Sequence, residues 1–327
     1  MRTETKLRQA VQELINSENK DLIIEELTNL VIELRATSWR KESKLNSFSH
    51  LNEKWLNKNA SAGNPPSIDT GFLALEKKIG GFHKGELIAV GGRPGMGKTT
   101  FTMQLVSDLF KFKNKLIWFS LDLTADQIYA RYISMLSSIP SHKLLNFDLS
   151  KTERKIFDKL SPLISSSSIL IDDMTQNIFD MMNVCKKQKE ENGLDIIVID
   201  FLELVSMSDS VKIGSSKTIS TICQELNLFA KKQNILVVVI TQLNKSVDIR
   251  GGDKRPSLID LGTASSLEYF ASKVLFIYRP GFYDITVDEE GEDISDLMEV
   301  IVSKNKIGPV FYSDLIVNRN FASLSEK

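Results

Sequence analysis

Six short apolar runs recur after Pro66, and they constrain the fold more than any other feature of the chain. They are "ELIAVGG" (86–92), "KLIWFSLD" (115–122), "SILIDD" (168–173), "DIIVIDF" (195–201), "ILVVVITQ" (235–242) and "KVLFIYR" (273–279). Within each run the apolar residues are consecutive rather than alternating, the pattern of a strand buried on both faces. Helix-like segments separate the runs, so the strands should pair in parallel through helical crossovers that cover the sheet. Two later runs, "MEVIVSK" (298–304) and "FYSDLIV" (311–317), read as an antiparallel edge pair. The acidic "VDEEGEDISD" (287–296) before them reads as a solvated loop. The expected class is α/β: a mostly parallel sheet with antiparallel edge strands, preceded by a short all-α segment.

The N-terminal part has a different texture. Leu7, Val11, Leu14 and Ile15 form one apolar stripe, and Ile23, Ile24, Leu27, Leu30, Val31 and Leu34 a second, both at helical spacing. A third amphipathic stretch carries Leu45, Phe48, Leu51 and Trp55 on one face, and "NKNASAGNPPS" (57–67) reads as a linker. The expected division is a helical segment over 1–42, a linker helix and linker over 43–66, and one α/β domain over 67–327. A net charge of −1 over 327 residues excludes a globally basic nucleic-acid binder but leaves room for a local basic surface. Cys185 and Cys223 fall on apolar helix faces and read as core thiols, with no disulfide frame or metal-ligand spacing. The first residues carry no apolar signal core, and no apolar run reaches the ~20 residues of a membrane span. A cytoplasmic protein without membrane contact is expected.

"GGRPGMGKTT" (91–100) contains Gly92-x-x-x-x-Gly97-Lys98-Thr99, the P-loop pattern, between an apolar strand and a helix-forming stretch. Glycines let backbone N–H groups close on phosphate oxygens, and the helix N-terminus adds its dipole. Residues Gly92, Arg93, Pro94, Gly95, Met96, Gly97, Lys98, Thr99 and Thr100 are therefore the candidate ATP-binding set. Lys98 would reach the β- and γ-phosphates. The Thr99 hydroxyl and Asp200, which ends an apolar strand, would ligate Mg²⁺. Asp122, at the end of a neighbouring strand, is the candidate base for the attacking water. Gln242, ending "VVVITQ", is placed to sense phosphate state and pass it to the next loop.

Taken together, "TGFLALEKKIGGFHKGELIAVGGRPGMGKTT", "WFSLD", "GLDIIVIDFLEL", "VVVITQLNKSVDIRGGDKRPSLIDL", "FIYRPGFYD" and "EVIVSKNKIGP" resemble, in order, the RecA-like motor domain of the DnaB replicative helicases. The resemblance covers residues from about 65 to 325. It implies a P-loop NTPase of RecA-like fold that assembles as a hexameric ring around single-stranded DNA and moves 5′ to 3′. It also implies that Lys304 and Lys306 of "SKNKIGP" enter the neighbouring subunit's nucleotide site. There they would stabilise charge on the transferring γ-phosphoryl group. The implied DNA-facing loop runs over about 245–266 and includes Lys245, Gly262, Thr263 and Ser265; Arg250, Lys254 and Arg255 within "DIRGGDKRPS" are the cations expected to compensate for the one the family carries in that loop.

The chain departs from the family pattern in four places. Lys306 stands where the family has its arginine finger; such fingers contribute roughly 10³–10⁵ in rate, and lysine lacks the planar bidentate contact. Asp122 stands where the family has Glu, one methylene longer. Gly262-Thr263-Ala264-Ser265-Ser266 stands where the family has Arg-Glu-Ser-Gly-Ser. The helical stretch before the linker is shorter than the family's collar domain, so residues 1–42 are expected to self-associate or bind a protein partner. These departures keep open a DnaB-like ATP-gated assembly subunit with slow hydrolysis. The "KNK-x-G" signature keeps open a recombinase-like branch.

Overall fold

The computed structural model describes residues 11–12, 47–60, 67–68, 71–106, 114–207, 213–321 and 323–327. The chain divides into two units, residues 1–67 and 68–327. In the first unit, α1 spans Phe48–Ala60. It therefore runs four residues into the stretch expected as linker, whose composition is polar but holds neither Gly nor Pro before Gly63. The two stripes over 7–34 lie outside the described residues, except for the helical Val11–Gln12 pair.

The second unit is built on a nine-stranded sheet. Its strands are β1 (Leu87–Gly92), β2 (Leu116–Ser120), β3 (Ile169–Asp172), β4 (Ile196–Asp200), β5 (Leu236–Gln242), β6 (Lys273–Tyr278), β7 (Leu297–Asn305), β8 (Phe311–Asn318) and β9 (Ser323–Glu326). They lie in the order β9-β8-β7-β6-β1-β5-β4-β2-β3. All pairings from β6 through β3 are parallel, and β7, β8 and β9 add antiparallel strands at one edge. The six apolar runs are the six parallel strands. β9 is an addition to the expected set: Ser323–Glu326 carries little apolar signal, and its pairing with β8 supplies the reason for a strand there.

Local sequence explains the helices between them, α2 (Leu73–Ile79), α3 (Lys98–Val106), α4 (Ala125–Ser137), α5 (Lys151–Ser165), α6 (Ile178–Glu191) and α7 (Ser216–Gln233). Thr124 with Gln127 and Ser150 with Glu153 form capping boxes at the starts of α4 and α5, satisfying donors that the first turn leaves open. Asn177 and Ser215 cap α6 and α7. Cys185 and Cys223 are buried and unpaired, as expected from their faces.

The core lies between these helices and the sheet. β1, β4 and β6 are buried at every position, and Phe72 of the α2 N-cap stacks on Phe101 of α3 with centroids 5.7 Å apart. One charged pair is sealed inside it. Lys273 Nζ, at the start of β6, donates to both oxygens of Glu86, just before β1, at 2.8 and 2.7 Å. Glu86 also accepts the His83 N–H at 3.0 Å. Removing one partner strands a charge in a site where Lys273 is 1% exposed. Glu86→Ala is expected to lower unfolding stability by about 3–5 kcal/mol, read from chemical denaturation. The double change Glu86→Leu with Lys273→Met should recover most of that loss.

Candidate nucleotide site

Parallel pairing brings the ends of four strands to one edge of the sheet. Gly92 at the end of β1 is in register with Gln242 at the end of β5. Asp200 at the end of β4 is in register with Ser120 at the end of β2 and Ile240 of β5. A cleft of about 730 Å³ opens there, lined among others by Gly97, Lys98, Thr99, Asp122 and Gln242. Pro94, Gly95 and Thr100 line it too, so most of the expected ATP-binding set is gathered.

The loop needs its glycines. Gly95 and Gly97 have φ of 79° and 92°, the region that disfavours side chains. A Cβ on Gly97 would stand 2.9 Å from Met298 Cε, and one on Gly92 3.0 Å from the Ile277 carbonyl oxygen. Lys98 opens α3 and is buried; its Nζ donates to the Arg93 carbonyl at 3.1 Å and lies 5.5 Å from the Phe201 ring centroid. Burial lowers the Lys98 ammonium to about 8. Opposing this, Asp200 and Glu203 favour the charged form.

Thr99 Oγ1 donates to Asp200 Oδ2 at 2.9 Å, while Asp200 Oδ1 is buried with no partner. Burial raises the Asp200 carboxyl to about 6. A hydroxyl and a carboxylate with a spare, desolvated oxygen fit Mg²⁺, which takes few protein oxygens and completes its shell with phosphate and water. Asp122 is exposed in the cleft beside them.

Three expected members of the set do not face the cleft. Gly92 and Met96 lie beneath the loop. The Arg93 side chain turns away, donating from Nε and Nη2 to Asp248 Oδ2 at 2.8 and 2.6 Å and from Nη1 to the Leu243 carbonyl at 2.6 Å. The Arg93 side chain is thus an anchor for the loop that follows β5.

Three residues of the site escape sequence reasoning. Glu203 accepts from the Thr241 hydroxyl and from the Gln242 N–H (3.1 Å), fixing the end of β5; its other oxygen is buried without a partner. Arg279 lines the cleft at the end of the "KVLFIYR" run. The rule that finds Asp200, a polar residue ending an apolar strand, applies to it equally. Arg131 of α4 also lines the cleft, and nothing in its sequence neighbourhood marks it.

The other expected residues stand elsewhere. β7 is antiparallel to β6, so its end lies beside Lys273, the first residue of β6, at the sheet edge opposite the cleft. Lys304 Nζ donates there to the carbonyls of Glu268 and Ala271, the latter at 2.7 Å, while Lys306 is exposed. Among the expected DNA-facing residues, Lys245, Thr263 and Ser265 are exposed. Gly262 kinks the 258–264 turn at φ 56°, ψ −115°. The three cations Arg250, Lys254 and Arg255 also hold partners within the chain, and Arg255 stays exposed. Arg250 pairs with buried Asp260, and Lys254 donates to the Asp248 and Arg250 carbonyls. Arg255 grips Glu299 at 2.6 and 2.7 Å. An irregular loop has no ladder of its own to hold it, and these bonds supply the ties.

Residues 67–326 match the family model described as DnaB-like helicase C terminal domain. The chain belongs to this DnaB-like family. The replicative DNA helicase DnaC of Bacillus subtilis (strain 168) is 30% identical over 250 residues, covering 76% of this chain and 54% of that protein. The replicative DNA helicase DnaB of Geobacillus stearothermophilus is 31% identical over 250 residues, with the same coverage. The chain thus spans about half the length of the curated relatives it matches. In fold, it resembles a solved structure described as an ATPase domain with TM-score 0.77, covering 87% of this chain and 100% of that one. It also resembles a DnaB-like replicative helicase described with its primase interactions, TM-score 0.74, covering 98% and 75%. Both are 24% identical, a likeness of fold.

Among the described residues of this DnaB-like chain, no helix is long and apolar enough to cross a membrane. The cleft makes a pH prediction. Phosphate binds the charged form of Lys98, which is present below about 8 and lost above it. A fluorescent ATP analogue should therefore bind with constant Kd between pH 6.5 and 7.5. Above pH 8, Kd should rise toward about tenfold per pH unit. Lys98→Ala should bind weakly, without that slope.

Proposed function

We propose that this chain is the motor domain of an ATP-dependent, ring-forming helicase that moves along single-stranded DNA, 5′ to 3′. The observation that carries the ring is the place of Lys304 and Lys306. They stand at the sheet edge opposite their own cleft, the length of the six-residue β1 away, or roughly 17 Å over its five rises of about 3.3 Å. Two cations at a hairpin tip that cannot reach their own nucleotide are suited to a neighbour's. The family resemblance supports reading that neighbour as the next subunit of a homohexamer.

In this reading Lys98 and the P-loop amides hold the phosphates. Thr99 and Asp200 hold Mg²⁺, which neutralises charge on the β- and γ-oxygens when bound. Asp122 orients and deprotonates the attacking water. Lys306, with Lys304 behind it, meets the γ-phosphoryl charge across the interface. Gln242 leads through Leu243 into the loop 244–265, where Lys245, Thr263, Ser265 and the Gly262 kink would face the DNA backbone. The replicative-helicase names of the relatives give the reading its substrate. Arg250, Lys254 and Arg255 would shape that loop rather than reach phosphate.

ATP hydrolysis with and without single-stranded DNA tests the reading. DNA should stimulate turnover several-fold, and Lys98→Ala and Lys306→Ala should each be nearly inactive. Mixing the two inactive proteins should restore part of the rate, because an intact P-loop then sits beside an intact Lys306. Absence of recovery would remove the trans role. Tight ATP binding with turnover no faster than Lys98→Ala would instead favour the ATP-gated assembly subunit, with Asp122 too short to act as base.

A further inference from the structure

The side chain of Arg93 has no place in the phosphate site, yet it is one of the most heavily bonded groups around it. It is buried, and its guanidinium makes three bonds, two to Asp248 and one to the Leu243 carbonyl. Leu243 directly follows Gln242. Asp248 lies in the short helix Ser246–Ile249, inside the loop 244–265. Its second oxygen, Oδ1, accepts from the Tyr283 hydroxyl at 2.8 Å. Its carbonyl accepts from Lys254, whose ammonium also lies 5.2 Å from the Tyr283 ring centroid. Beside Tyr283, Phe282 stands 3.0 Å from where a Cβ on Gly95 would be, so the same segment also braces the P-loop.

Arg93 is thus a connector with two ends. Its carbonyl accepts the Lys98 ammonium at 3.1 Å, and a phosphate competes with that carbonyl for the same ammonium. Its guanidinium holds the loop at the residue after the sensor and at Asp248. The Arg93 end of this contact is buried and the Asp248 end half-buried, and its bonds are charge-assisted, stronger than neutral ones.

We propose that the Arg93–Asp248 ion pair, buttressed by Tyr283, is a positioning link that carries nucleotide occupancy of the P-loop to the loop 244–265. The inference rests on the proposed function, since it assumes that this loop meets single-stranded DNA. Neither Asp248 nor Tyr283 touches nucleotide in this scheme; they act through Arg93.

Linkage supplies the test. Single-stranded DNA affinity is measured by fluorescence anisotropy with and without a non-hydrolysable ATP analogue, and the ratio of the two Kd values is the coupling. Coupled sites typically show roughly 5–150-fold ratios. Asp248→Asn keeps the side chain's shape but removes its charge. It should bind the analogue within about twofold of the parent and bind DNA alone equally well, while the coupling ratio falls toward one. Tyr283→Phe should lower the ratio partway. Asp248→Glu, which restores the carboxylate, should recover it, a rescue that a purely structural role would not single out. An Asp248→Asn protein that keeps the full ratio overturns the link while leaving the proposed function standing. A parent protein with no coupling, or no DNA binding, removes the proposed function and the link together.

Discussion

Parallel pairing of strands buried on both faces is the constraint on which the site depends. A parallel strand must be reached by a crossover, so every chain segment returns to the same side before the next strand begins. The consequence is that β1, β2, β4 and β5 all end at one edge, and whatever residue ends each strand is delivered there. Gly92, Asp200 and Gln242 end strands separated by scores of residues, and Asp122 lies just past the end of β2; hydrogen-bond register alone brings the four together. The sealed Lys273–Glu86 pair sits at the other ends of β6 and β1, away from the chemistry, where an ionised pair can lock the register without competing for phosphate.

The same burial sets the electrostatics. Lys98, Asp200 and Glu203 occupy a small desolvated volume, and burial pushes each toward its neutral form: Lys98 down, both acids up. Their mutual attraction only partly opposes this. A bound phosphate and a divalent cation would restore full charge to Lys98 and Asp200 respectively, so ligand binding repairs an electrostatic deficit built into the folded chain. Preorganisation of this kind keeps the groups oriented before the charge they are to meet arrives. Glu203 adds a structural use of the same carboxylate chemistry. By holding Thr241 and the Gln242 N–H, it prevents the end of β5 from fraying into the cleft.

The range of each interaction decides how much of this is legible in the sequence. Five of the six parallel strands are readable because two-sided burial leaves consecutive apolar residues, while β3, last in the sheet, carries the same apolar run with no fully buried position; Thr99, Asp200 and Gln242 are readable because strand ends and the P-loop are local marks. Arg279 carries such a mark too, although the sequence reading leaves it out. Arg131 carries none, since a helix face turned toward a distant loop has no signature in its own neighbours. The place of the Arg93 side chain is not legible, because membership of the P-loop pattern is a statement about backbone amides. Where its guanidinium goes depends on Asp248, 155 residues away. The basic run with Arg250, Lys254 and Arg255 likewise gives no sign in the sequence of its partners Asp260 and Glu299. β9 is invisible in the sequence because pairing, not composition, makes it a strand.

The hairpin that carries Lys304 and Lys306 shows how one irregularity can join two functions. Between β6 and β7 the register shifts: Val274 faces Lys304, but Leu275 faces Val302, leaving Ser303 as the extra residue. Such a bulge bends its strand and re-aims the residues beyond it. The redirected Lys304 reaches the last carbonyls of the turn of helix at Ser266–Phe270, where a cation is favoured, and the Lys306 N–H donates to the Ser272 carbonyl at 3.0 Å. That helix continues directly from the Gly262–Ser265 turn. The hairpin tip and the proposed DNA-facing turn are therefore tied by hydrogen bonds through one short segment, 266–272. In the proposed ring, a shift of that turn would be passed to Lys306 through this segment.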